Sequence, residues 1–116
     1  MDSEKLSDLV VKILDDMKAK DIVKLDVKRM TSVTDYMVVA SGTSSRHVKA
    51  IADEVIEKCK EQGQRPIGVE GQQGSEWILI DLQDTLVHVM LPKVRDFYNL
   101  EKLWSLKPAD LTATEG

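Results

Sequence analysis

The 116-residue chain has a single cysteine, Cys59, so no internal disulfide can form and packing alone must hold the fold. With only His47 and His88 besides, a zinc site built from Cys and His is not expected. Cys59 falls on the apolar stripe of a helical pattern and reads as a buried thiol. No stretch approaches the ~20 apolar residues of a membrane span. The opening MDSEKLSDLV lacks a signal peptide's basic start and apolar run. A cytoplasmic protein with no membrane partner is expected. Positive charge is also in deficit: 16 Lys and Arg against 20 Asp and Glu give a net charge of −4 and a pI near 5.1. Such a chain gains nothing from long-range attraction to phosphate backbones. Little direct nucleic-acid contact is expected, and near RNA the chain should dock on a protein.

What is present is the material of one globular domain. The chain is 42% hydrophobic and 31% charged, and its length can bury roughly two-thirds of the unfolded surface. Leu6, Leu9, Val10, Ile13, Leu14 and Met17 recur at helical spacing and predict a helix over about 4–19, capped by Ser3. IVKLDV (22–27) alternates as a half-exposed strand. YMVVA (36–40) has no polar residue, so that strand should be central and covered on both faces. After SGTSS, Val48, Ile51, Ala52, Val55, Ile56 and Cys59 mark a helix ending near Gln62 and Gly63. A short strand around Pro66–Val69, a Gly-rich loop over 71–75, strands over 76–81 and 85–91, and a helix over 94–104 complete the pattern. Residues 1–106 form the expected domain, and 107–116 have the composition of a flexible tail. The strand at 36–41, its helix and the strand at 66–69 form an expected right-handed parallel crossover unit. The fold class is α/β, a mixed sheet of about five strands flanked by helices.

The turn SGTSSRH has parts of a phosphate cradle, yet lacks its chemistry. A P-loop needs a Lys followed by Ser or Thr, and a dinucleotide fingerprint needs three glycines where Gly42 stands alone. A nucleotidyltransferase-like site would need paired carboxylates on a strand to hold magnesium. Asp53 and Glu54 instead adjoin one another on a helix and point apart. The turn therefore reads as a sharp strand exit with Thr43 or Ser44 capping the helix. Arg46 and His47 then sit in the first turn, where positive charge opposes the helix dipole. Such local conflicts mark positions of functional interest.

The hairpin EWILIDLQDTLVHVM carries the most information. With its turn at Gln83–Asp84, Trp77 lies opposite Met90, Leu79 opposite His88 and Asp81 opposite Leu86, all on one face. Ile78, Ile80, Val87 and Val89 take the other face and suit a core under helices. The Trp77 face is either left for a partner to bury, or covered by the last helix with Phe97, Tyr98, Leu100, Leu103 and Trp104. His88 and Asp81 are diagonal neighbours and are expected to form a hydrogen-bonded surface pair.

The segments TDYMVVASGTSSRHVKAIADEV, GVEG, EWILIDLQDTLVHVM and FYNLEKLW, in this order and spacing, resemble the ribosomal silencing factors, or Iojap-like family, over about residues 5–105. The resemblance implies a nucleotidyltransferase-like fold without the catalytic carboxylates, and no enzymatic activity, cofactor or metal. It implies a translational repressor that binds the large ribosomal subunit through its fourteenth large-subunit protein. By occupying the face that meets the small subunit, it would block joining when nutrients are short. Some members of the family form homodimers when free. The partner surface is assigned to Trp77, Leu79, Asp81, Leu86, His88 and Met90, with Arg46, His47, Tyr98 and Trp104 as a secondary group. Two competing readings remain: a residual nucleotidyltransferase-like enzyme or nucleotide sensor using Gly42–Arg46, and a homodimeric scaffold that buries the Trp77 face against itself.

Overall fold

The first helix, α1 (Ser3–Asp16), is capped one residue earlier than expected. In the computed structural model, which describes residues 1–99, the Asp2 carboxylate accepts from the Lys5 N–H at 2.8 Å. Ser3 is already helical. The helix buries Leu6, Val10, Ile13 and Leu14. It stops short of residue 19 because Lys18 takes a left-handed backbone (φ 60°) and the Ala19 N–H returns to the Leu14 carbonyl.

Strand β1 (Lys20–Asp26) pairs antiparallel with β2 (Tyr36–Ser41), through a register shift between Lys20 and Val23. All six β2 residues are buried, as its polar-free YMVVA run requires. Helix α2 (Ser45–Glu61) follows, with the Ser44 hydroxyl accepting from the His47 N–H. Gly42 is fixed by packing: a Cβ there would lie 2.7 Å from the Val48 side chain and 2.9 Å from its backbone nitrogen. At the far end Gly63 turns left-handed (φ 79°) and the Gln64 N–H returns to the Cys59 carbonyl.

Strands β3 (Gly68–Glu70), β4 (Trp77–Asp81) and β5 (Thr85–Met90) complete a five-stranded mixed sheet of order β1-β2-β5-β4-β3. The order corrects the expected crossover unit. The parallel neighbour of β2 is β5, and β3 lies at the far edge, antiparallel to β4. The reason is burial. With Val87, Val89 and Met90 all fully buried, β5 is nearly as buried as β2 and takes the central place, and three-residue β3 is left at the rim.

Helices α1 and α2 both pack on one face, over Val38, Ala40, Ile78, Ile80, Val87 and Val89. Cys59 is fully buried there, and burial pushes its thiol up to about 11. Helix α3 (Pro92–Tyr98) begins two residues earlier than expected. Pro92 ends the strand and also suits the first helical position, where no N–H is needed. The Tyr98 side chain, Leu100, Leu103, Trp104 and the expected 107–116 tail lie outside the described residues.

The second sheet face as a candidate docking site

The hairpin register is the expected one: Trp77 opposite Met90, Leu79 opposite His88, Asp81 opposite Leu86. A two-residue turn and strict alternation set it. Gln83 reverses the chain at φ 76°, and the Asp81 carboxylate accepts from the Gln83 N–H at 2.8 Å. These six residues share the face opposite α1 and α2, together with Leu25 of β1, Val27 just after it, and Met37 and Val39 of β2.

That face is layered rather than uniformly open. Met90 is fully buried in a second apolar cluster with Val27, Met37 and Val39, against which Leu25, Trp77 and Val94 pack. Helix α3 supplies Val94, and the Arg95 guanidinium donates to the Ser41 hydroxyl at 3.0 Å. Phe97, which one of the two readings folded over the face, is 80% exposed. Trp77, Leu79, Asp81 and Leu86 are half-buried and remain accessible to a partner. Met90 and His88 support them from beneath. Glu70, opposite Leu79 on the edge strand, joins Asp81 in giving this apolar surface an acidic rim.

The expected His88–Asp81 pair does not form. The Trp77 indole Nε1 donates to His88 Nδ1 at 2.9 Å, with ring centroids 5.9 Å apart and planes tilted by 43°. Both Trp77 and Asp81 are diagonal to His88, and burial decides between them. His88 is only 7% exposed, and a neutral N–H donor satisfies it there without a charge. Burial lowers the His88 pKa from 6.5 to about 4.

This shift has a measurable consequence. Above pH 6.5 the ring is neutral in both folded and unfolded chains. Between about 6.5 and 4 the unfolded chain binds a proton that the folded chain refuses, so stability falls with falling pH and levels off below 4. The shift corresponds to a ceiling of about 3 kcal/mol. Urea unfolding at pH 7.5 and 4.5 should show His88→Leu gaining stability relative to the parent at the lower pH. Parallel pH dependences in the two proteins would refute this role for His88.

Of the secondary group, Arg46 is exposed and His47 is half-exposed. Both His47 nitrogens have partners: Nδ1 accepts from the Thr43 N–H at 2.9 Å, and Nε2 lies 2.9 Å from the Met17 carbonyl. The ring therefore ties the start of α2 to the end of α1, which accounts for a histidine in an unfavourable helix turn. One residue that shapes the site carries no signal in the sequence. Gly71 (φ 87°) approaches β4 so closely that a Cβ would lie 2.0 Å from the Trp77 carbonyl oxygen. Among the described residues no group of three or more His, Cys, Asp or Glu side chains could hold a metal ion, and no helix is long and apolar enough to cross a membrane.

Comparison with known proteins places these features in a lineage. Residues 1–115 match the family model described as "Ribosomal silencing factor during starvation". A ribosomal silencing factor of Chromobacterium violaceum is 47% identical over 104 residues, covering 90% of this chain and 85% of that one. A mouse protein named for mitochondrial assembly of the ribosomal large subunit is 35% identical, over 89% of this chain and 46% of its own length. A crystal structure of a Chromobacterium violaceum protein superposes with a TM-score of 0.89 at 47% identity, covering 93% of this chain and 91% of that one.

Proposed function

The chain belongs to the ribosomal silencing factors, and on that basis we propose that it is a cytoplasmic translational repressor. In this reading it binds the large ribosomal subunit through the fourteenth large-subunit protein. It then stands where the small subunit must land, so the two subunits cannot join. The block is steric and needs no catalysis, cofactor or metal.

The observation that carries this reading is the layered second sheet face. An apolar surface of Trp77, Leu79 and Leu86 is backed by a rigid buried layer and rimmed by Asp81 and Glu70. Accessible aromatic anchors over a firm base suit a protein partner. The acidic rim, with the net charge of −4, suits a basic one. The same charge repels rRNA, so the electrostatics favour a ribosomal protein over its surrounding nucleic acid.

Sucrose-gradient sedimentation tests the proposal directly. The purified protein should travel with large subunits and reduce the joined particle when small subunits are added. Undiminished joining at saturating protein would overturn the reading. Charge steering adds a kinetic expectation: rising salt should slow association far more than it hastens release. Stopped-flow traces in which only the off-rate responds to salt would exclude steering as the cause.

A further inference from the structure

We infer that His88 is a positioning residue for docking, which orients the Trp77 indole on the second sheet face without itself touching the partner. The inference rests on the docking reading above and adds to it a residue with a distinct role. Three observations carry it. His88 lies on β5, the middle strand of the sheet, flanked in register by Val39 of β2 and Leu79 of β4. It is 7% exposed, too deep to be a contact residue. Its Nδ1 accepts the indole N–H of Trp77, which is half-exposed, at 2.9 Å.

The geometry explains why a histidine should stand at that place. An indole on a strand can rotate about χ1 and χ2, and a partner pocket shaped for one rotamer must select it on binding. A hydrogen bond from Nε1 to a fixed acceptor selects that rotamer in advance. The acceptor must be neutral, because a buried carboxylate would be costly, and its nitrogen must stay unprotonated. Burial of the ring meets both needs, since it disfavours the imidazolium. A Leu at position 88 would fill much of the same space and remove this acceptor from the indole.

The test uses His88→Leu, which removes the acceptor but keeps the bulk, and His88→Asn, whose Oδ1 falls near the place of Nδ1. Large-subunit affinity should fall about tenfold in His88→Leu, the scale of one net hydrogen bond, and return to within about twofold of the parent in His88→Asn. In a Trp77→Phe background, which has no N–H to orient, His88→Leu should cost nothing further. A loss of equal size in that background would show a merely structural role and overturn the inference, as would unchanged affinity of His88→Leu in the parent. The free protein gives an independent readout. The Trp77 indole N–H resonance should move on His88→Leu and return on His88→Asn, and an unmoved resonance would overturn the positioning role. Failure of the parent protein itself to bind large subunits, with the resonance behaving as expected, would refute the docking reading and leave the indole–imidazole geometry standing.

Discussion

Trp77→Ala is expected to fold and to fail to co-sediment with the large ribosomal subunit. Trp77 is half-buried: one side packs on the cluster of Val27, Met37, Val39 and Met90, and the rest remains accessible. Truncating a fully buried Trp costs roughly 3–5 kcal/mol of folding stability. A half-buried one should cost about 2 kcal/mol, which leaves a domain of this size folded. As an accessible aromatic of an apolar face, the same side chain should contribute roughly 2–4 kcal/mol of binding, or roughly 30- to 1,000-fold in affinity. Thermal unfolding and co-sedimentation of the variant, run side by side, separate the two effects. A variant that binds as tightly as the parent would move the anchor away from Trp77, and one that cannot fold would make Trp77 a core residue.

The second large effect belongs to a residue with no side chain. Gly71→Ala should cost about 2–5 kcal/mol, the combination of overpacking and of a left-handed backbone imposed on an L-residue. Its φ is 87°, and the new methyl would meet the Trp77 carbonyl oxygen at 2.0 Å and carbon at 3.1 Å. Those are strand backbone atoms and cannot rotate aside. Gly74, in the same loop, is the matched control, since a Cβ there meets nothing within 4 Å. Gly74→Ala should lie within about 0.5 kcal/mol of the parent. Equal chemical stability of the two variants would contradict the proposed close approach.

The contrast between what the sequence revealed and what it hid follows the range of the interactions. The β4–β5 register was legible because a two-residue turn and period-2 alternation fix every pair from Trp77–Met90 to Asp81–Leu86. The cap of α2, narrowed to Thr43 or Ser44 and found at Ser44, and the close at Gly63 were legible for the same local reason. The place of β5 beside β2 was not, because adjacency in a sheet depends on comparing the burial of strands nearly fifty residues apart. His88 had two diagonal neighbours of suitable chemistry, Trp77 and Asp81. Only the depth of the site, which one strand cannot report, favoured the indole. His47 looked like a misplaced charge until its contact with the Met17 carbonyl, thirty residues back, supplied the reason. Of the surface residues, the alternating pattern correctly placed Trp77, Leu79, Asp81 and Leu86 on one side of the sheet. It also put Met90 and His88 there, where the side is right and the depth is not.

Among the described residues the sheet has two unpaired borders, and they bear on how this protein meets copies of itself. On one border β3 is three residues long, with Pro66 and Ile67 before it and Gly71 after it. On the other, β1 is kinked by Asp21 at φ 49° and carries Lys20, Lys24 and Asp26. Neither offers the long flat ladder of unpaired amides on which another strand can template. Strand-by-strand extension into a continuous sheet is thus discouraged at both ends, and even at high concentration runaway polymerisation through these edges is disfavoured. Pairing of two copies would more readily proceed through side chains on a face. If the proposed docking on the Trp77 face holds, a twin and a large subunit would compete for the same surface, and the concentration of free large subunits would decide which it takes.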